Sequence, residues 1–408
     1  MIRPARAAAL WAGLVTGCSR PASRPVAAPL DKPTRDEDTR LIRMHRELDD
    51  DILTSYDRDE APDVPSGMID PRIGAVRIGV RPADVYLADE VAHAPSRWPL
   101  EVDRSIRTEV RSKHLESWIA LDQTAAWMSD EVSWRIQMCK RTAVIPLRIT
   151  ALYAQDGDRW IPVVEHLSFA FPPVPDEGQP PRAIKTEVAS GDLRDELSGV
   201  VARGVLRAPH DPSVAAQTDD ALVLGPDVTV TGETIAAEWH GQRVLEARLP
   251  AGTLEDRRVG VVGRFAPTAT IAYWAGDYIA SLPARPGVAA GKARMRVTHV
   301  FEKRWFESPG RPPTEGKNCH LEEKDFRERN SKAVEVAAHC RWVVVQSHMS
   351  QPITERELTQ KVFGSALISS RPLQFDCSDG GAQAVAPAAT APGAGPRPGA
   401  RPPGAGSP

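Results

Sequence analysis

The chain has 408 residues, 26% of them charged, and a formal net charge of −3. It is long enough for two domains and too evenly charged to suit nucleic acid as a partner. Its 37 prolines exceed the average share and crowd into the ends and connectors, and its five cysteines need an explanation of their own.

Arg3 and Arg6 precede an apolar run, Ala7–Val15, that has the length of a signal-peptide core and is too short to span a bilayer. Val15-Thr16-Gly17-Cys18 then resembles a bacterial lipobox. Residues 1–17 are expected to be a lipoprotein signal peptide, with Cys18 lipidated and 18–36 a polar tether. An ordinary signal peptide with an incidental cysteine is the alternative. The expected location is the bacterial cell envelope, lipid-anchored, periplasmic or outer-membrane associated, with the membrane a partner through that lipid.

Asp36–Thr54 spaces Leu41, Met44, Leu48 and Ile52 along one face and predicts the opening helix of a first domain, 37–172. Strand-like segments follow from Ile73, then at Ser117–Ala120, Ala125–Met128 and Val132–Ile136. Pro146–Ser168 reads as a hairpin: Leu147, Ile149, Ala151 and Tyr153 alternate with Arg148, Thr150 and Leu152. Asp156-Gly157 supplies the turn, and Trp160–His166 returns. A Pro-rich linker occupies 173–189.

The order then repeats in a second domain, 190–354. Asp192–Leu206 predicts a helix, and strand candidates lie at Ala221–Thr231, Val259–Phe265, Thr270–Trp274 and Ala293–Lys303. Trp160, His166 and Ser168 are matched at identical spacing by Trp342, His348 and Ser350, and Arg148-Ile149-Thr150 by Arg296-Val297-Thr298. Ala126-Trp127-Met128-Ser129-Asp130 aligns by eye with Tyr273-Trp274-Ala275-Gly276-Asp277. A tandem duplication explains this order. The second copy differs by an insertion at about 305–340. Residues 355–377 form an appended extension, and 378–408 is Ala/Pro/Gly low complexity that cannot bury a core.

In the insertion, a Cys319–Cys340 disulfide would staple the loop to its own strand, and Cys340–Cys377 is the other option. Cys139 is expected to be a buried, inert thiol. His320 and His339 beside these cysteines invite a zinc reading, but the spacing fits no common motif, so neither metal nor cofactor is expected.

With these residues in hand, each domain resembles the SnoaL-like branch of the NTF2-like superfamily. The closing strands read Arg-x-Thr, a turn, Trp, then His-x-Ser. The resemblance implies an α+β fold of two tandem cones, N-terminal helices packed on a curved antiparallel sheet around a pocket. The superfamily spans isomerases, cyclases, epoxide hydrolases, transport adaptors and domains without known chemistry, so it says little about activity.

Arg148, Trp160, His166, Arg296, Trp342 and His348 are the candidate ligand-binding residues, each with a structural alternative. The histidines could brace the sheet, the tryptophans could pack it, and the arginines could pair with Asp130 or Asp277. No catalytic residue is assigned. An acid–base enzyme would have to draw on Asp277 with His348 and His299, or Asp130 with His166. The expected function is a non-enzymatic envelope lipoprotein that binds a small apolar ligand or an envelope protein, with no nucleic acid. The alternative is a small-molecule isomerase, cyclase or hydrolase.

Overall fold

The computed structural model describes residues 35–58, 75–87, 106–138, 141–169, 187–188, 191–200, 217–225, 230–231, 234–235, 238–240, 252–262, 269–284, 286–306, 317–319 and 339–354. It also describes 90–91, 94, 97–98, 175–176, 184, 322 and 357. Helix α1 spans Arg35–Arg58. Met44, Leu48, Ile52 and Tyr56, one every fourth residue, form its buried stripe. Leu41, expected on that stripe, is exposed.

In chain order there follow β1 (Val76–Ile78), β2 (Val85–Leu87), β3 (Ile106–Ile119), β4 (Ala125–Met138), β5 (Arg141–Asp156), β6 (Arg159–Phe169) and β7 (Glu187–Val188). Helix α2 (Gly191–Val200) opens the next series: β8 (Gln217–Leu224), β9 (Val230–Thr231), β10 (Thr234–Ile235), β11 (Glu238–His240), β12 (Gly252–Val262) and β13 (Ile271–Leu282). It closes with β14 (Gly291–Trp305), β15 (Lys317–Asn318) and β16 (Cys340–Ser350). Among the described residues, no helix is long and apolar enough to cross a membrane.

The first sheet has strand order β2-β1-β6-β5-β4-β3. The second runs β11-β8-β16-β14-β13-β12-β7, with β15 added to β14, and β9–β10 is a separate ribbon. The first six strands of each list occupy the same places in the same order.

Their ladders agree at residue level. Thr150 sits opposite His166 and Arg148 opposite Ser168; Thr298 sits opposite His348 and Arg296 opposite Ser350. Both ladders carry a register shift at the same point, between Leu152 and Tyr153 and between Val300 and Phe301. Each closing strand also takes a short parallel neighbour: His166 pairs with Ile78, and His348 with Leu224.

Two sequence expectations shift. The separate strands expected around Ser129-Asp130 are one continuous β4, because both polar residues lie inside the protein rather than in a turn. The tight turn of the central hairpin is Gly157-Asp158, one residue later than expected, since Asp156 still pairs with Arg159. Gly157 has φ +68°, which suits the first central position of a type II′ turn. The Pro-rich connector is fastened where it is described: Asp176 N donates to Lys292 O (2.9 Å), and its carboxylate accepts from Arg294 N (2.7 Å).

Period-two alternation assigns every strand residue a face. On one face of each sheet, Val76, Ile78, Leu152 and Val164 of the first half join Ile271, Tyr273, Val300 and Val345 of the second in one buried cluster. The sheets therefore pack on each other there. The opposite face of the second sheet, with Trp274, Met295, Val297 and Phe301, buries Leu193 and Leu197 of α2. The opposite face of the first sheet carries Asp130, which bonds Tyr56 of α1.

Candidate functional site

The repeated His-x-Ser and Arg-x-Thr residues meet in the middle of the sheet-to-sheet face. Thr150, His166 and Ser168 share that face on β5 and β6, as Thr298, His348 and Ser350 do on β14 and β16. The two halves exchange their polar groups. His348 Nδ1 lies 2.8 Å from Thr150 Oγ1 and its Nε2 2.7 Å from Ser168 Oγ. His166 Nδ1 lies 3.1 Å from Thr298 Oγ1 and its Nε2 2.8 Å from Ser350 Oγ. The two imidazoles stack at 3.9 Å between ring centroids, 20° from parallel.

Both histidines are held neutral. Burial is the main cause of their lowered pKa; nearby Arg296 and Arg148 add to it for His166, and His166 and Arg148 for His348. Arg148 also sets a tautomer. Its Nε and Nη2 donate to Ser168 Oγ at 3.3 and 3.2 Å. Arginine can only donate, so the Ser168 hydroxyl hydrogen is left for His348 Nε2, and His348 Nδ1–H donates to Thr150.

Each arginine then reaches into the other half. Arg148 Nη1 donates to Gly225 O at 2.9 Å. Arg296 Nη1 donates to the carbonyls of Gly79 (3.0 Å), Arg81 (2.9 Å) and Asp84 (3.2 Å), and Nη2 to Pro82 O. Four of the six residues expected to touch a ligand are thus fully buried in a clamp between the sheets. The remaining two, Trp160 and Trp342, are buried as well, and Trp342 packs under α2 with Lys303 Nζ 5.6 Å from its ring.

The conditional catalytic sets are divided between the two faces of the sheets. Asp130 sits opposite Ile149 and so faces α1, whereas His166 faces the second sheet. Asp277, opposite Arg296, shares the sheet-to-sheet side with His348, but His299, opposite Trp274, lies on the other face. Asp277 Oδ2 accepts from Ile184 N (2.9 Å) and lies 3.3 Å from Arg294 Nη1.

The alignment by eye of the Trp…Asp stretches was out of register by one. Counting from Thr150 and Thr298, Met128 corresponds to Trp274, Asp130 to Gly276 and Glu131 to Asp277. A one-residue slip moves every side chain to the other face.

Beneath α1, the first sheet holds a closed polar network. Tyr56 Oη donates to Asp130 Oδ2 at 2.9 Å, and His114 N donates to Oδ1 at 3.2 Å. Burial raises the pKa of Asp130 despite these bonds, and the Tyr56 phenol is pushed up by burial and by Asp130. Glu165 on the same side pairs with Arg97 (2.9 Å) and Arg77 (3.3 Å). Arg97 also reaches Ser55 O and lies over the rings of Tyr56 and Trp98. Sequence reasoning missed Glu165 and Arg97. The charge in Val163-Val164-Glu165 was a visible signal; Arg97, in a connector, offered none.

Beneath α2, the corresponding face of the second sheet is mostly aromatic. Trp274 and His299 are opposite one another on β13 and β14, with ring centroids 5.5 Å apart, and Phe301 lies 6.1 Å beyond His299. His299 is 1% exposed, and neither ring nitrogen has a hydrogen-bond partner; Trp274 Nε1 has none either. Burial lowers the His299 pKa to about 3, so the ring is neutral.

Cys319 and Cys340 form a disulfide with Cα atoms 5.7 Å apart, closing a sequence separation of 21. His339 Nδ1 bonds Phe306 O at 2.6 Å and its ring stacks on Trp305. No cluster of metal-ligating side chains occurs among the described residues. Cys18, Cys139, His320, Cys377 and the 378–408 tail lie outside the described residues.

Among the described residues the chain is mostly sheet, with two helices and two mixed sheets, an α+β architecture. No family model matches the chain. No curated protein matches it either. A domain of unknown function with a cystatin-like fold from Nostoc punctiforme is 12% identical, with a TM-score of 0.22, over 42% of this chain and 88% of that one. An NTF2-like protein involved in plasmid conjugation is 10% identical, with a TM-score of 0.16, over 60% of this chain and 79% of that one.

Proposed function

We propose that the chain is a non-enzymatic binding protein of the bacterial cell envelope. In this reading residues 37–172 and 190–354 are two SnoaL/NTF2-like cones, anchored through lipid on Cys18, and they hold a small apolar ligand or an envelope protein. The observation that carries the reading is the reciprocal clamp of His166 and His348. Both histidines are neutral, have both ring nitrogens engaged, and sit on the far side of the sheet from Asp130 and His299. A proton-transfer catalyst needs its acid and base converging on one substrate. The matching strand order and ladders of the two sheets support the tandem reading.

The test incubates the purified mature protein with an envelope metabolite extract and follows the mixture by mass spectrometry. Binding predicts retention of one molecule in stoichiometric amount with the pool otherwise unchanged. Conversion of a metabolite in many-fold excess over protein would favour the isomerase, cyclase or hydrolase alternative instead. Anchoring is checked separately: Cys18→Ser should abolish acyl labelling and release the protein from the membrane fraction.

A further inference from the structure

Helix α1 buries one stripe and leaves a second line of side chains outside it. Ile42 and Leu53 on that line are 61% and 42% exposed, with exposed Arg46 and half-buried Asp49 between them. The steps from 42 to 46, 49 and 53 are four, three and four residues, the repeat that holds side chains on one seam toward a partner helix. An exposed Ile or Leu alone is ordinary. Here the order is palindromic: apolar, basic, acidic, apolar. Laid antiparallel on a second α1, about a two-fold axis between Glu47 and Leu48, the seam sets Ile42 against Leu53 and Arg46 against Asp49 on both sides of the axis.

The position of the seam is a separate observation. Asp49 Oδ1 accepts from Ser117 Oγ of β3 at 2.8 Å, and His45 Nδ1 lies 3.4 Å from the same hydroxyl. The seam therefore borders β3, a strand of 14 residues that ends the order of the first sheet among the described residues. Its counterpart in the second sheet, β12, is flanked by β7 through Arg258 and Val259. An edge strand presents a row of backbone donors and acceptors that native proteins cover or blunt. The register shift between Ser112 and His114, with exposed Lys113 inside it, blunts β3 against direct strand pairing. The helix beside it is the surface left to pair.

We propose that α1 is a self-association surface whose partner is a second copy of this chain, docked antiparallel along Ile42, Arg46, Asp49 and Leu53.

Charge selects both the partner and the direction. In a parallel pair, each Arg46 would face the same arginine of the other copy. Sliding the antiparallel helices by three residues brings Arg46 onto Arg46 in one direction and Asp49 onto Asp49 in the other. Only the register that joins Ile42 to Leu53 leaves every charge opposite its complement. Asp49 gives one oxygen to Ser117, and a carboxylate has a second to offer the arginine. A polar pair on such a seam fixes register at some cost in strength. One helix face is also small for an interface, so the association is weak.

The test is sedimentation velocity on the chain from residue 18 carrying Cys18→Ser, so that no lipid drives association. A monomer–dimer equilibrium is expected between roughly 1 and 100 μM protein. Arg46→Glu and Asp49→Arg each put like charges across the seam and should weaken the dimer at least ~10-fold. Mixed in equal amounts, these two variants should recover it, because every pair across the seam is again of opposite sign. Leu53→Ser, at an exposed position, should also weaken the dimer, and it decides the matter if Asp49→Arg, which gives up the Ser117 bond, does not fold.

A monomer throughout that range would overturn the inference. So would a dimer indifferent to Arg46→Glu or Leu53→Ser, or a mixture of the two folded charge variants that stays monomeric. The ligand-binding reading stands or falls separately from all of these outcomes.

Discussion

Each sheet has two faces, and the faces differ in how far the two halves agree. Where the sheets meet, the halves present the same residues at the same ladder positions: Arg148 and Arg296, Thr150 and Thr298, His166 and His348, Ser168 and Ser350. Under the helices they share almost nothing. The first half has Tyr56 on Asp130 and Glu165 between two arginines; the second has Trp274 against an unpartnered His299. A side chain that must complement its own counterpart is constrained twice over, because changing one partner strands the other. The helix-covered faces carry no such reciprocity. Repetition here marks the joint between the halves.

Acid tests the buried histidines most strongly. His166, His348 and His299 are neutral when buried and gain protons near pH 6.5 when unfolded, so the unfolded state binds more protons below that value. The stability they contribute is present above pH 6.5 and is lost as pH falls below it. One unit lower, each costs about 1.4 kcal/mol, or about 4 kcal/mol for the three. Asp130 and Glu302, whose folded pKa values are raised, act with the opposite sign and only near the carboxylate range. Urea midpoints measured from pH 7.5 to 5.5 should fall steeply; a flat profile would break the idea of neutral interlocked histidines.

His348→Ala comes next. It removes the ring stacked on His166 and leaves Thr150 and Ser168 facing a void, for an expected loss of about 3 kcal/mol. A double-mutant cycle with His166→Ala sharpens the comparison, since stacked partners should couple by at least about 0.5 kcal/mol. Additive losses would mean that the two histidines brace their own sheets independently.

Tyr56→Phe probes the first half's private face. It takes one hydrogen bond from the buried Asp130, and chemical denaturation should show a loss of about 1.5 kcal/mol.

The smallest effect concerns the hairpin ends. The first hairpin closes at Gly157 with φ +68°, whereas the second is interrupted by the disulfide-stapled insertion. Nothing lies within 4 Å of a Cβ at Gly157, so Gly157→Ala should cost about 1 kcal/mol through backbone conformation alone. Thermal melting measures it, and an unchanged midpoint would mean that the turn relaxes freely.

Much of the architecture was legible beforehand. Period-two patterning announced the β5–β6 hairpin, the four-residue apolar spacing announced α1, and the spacing of Trp, His and Ser announced that something repeats. The Cys319–Cys340 pairing was also the favoured expectation, because an insertion this polar has little else to order it. Those features depend on neighbours along the chain, which the sequence displays directly.

Side-chain roles were decided elsewhere. Alternation says that two residues lie on opposite faces, but not which face meets a helix and which meets another sheet. Asp130 and His166 therefore looked like partners until the packing of the second sheet claimed the histidine's face. A motif reads identically whether it opens on a ligand or on its own copy. Only tertiary structure separates the two, because the partners of His166, namely Thr298 and Ser350, lie 132 and 184 residues away, and no local rule links them.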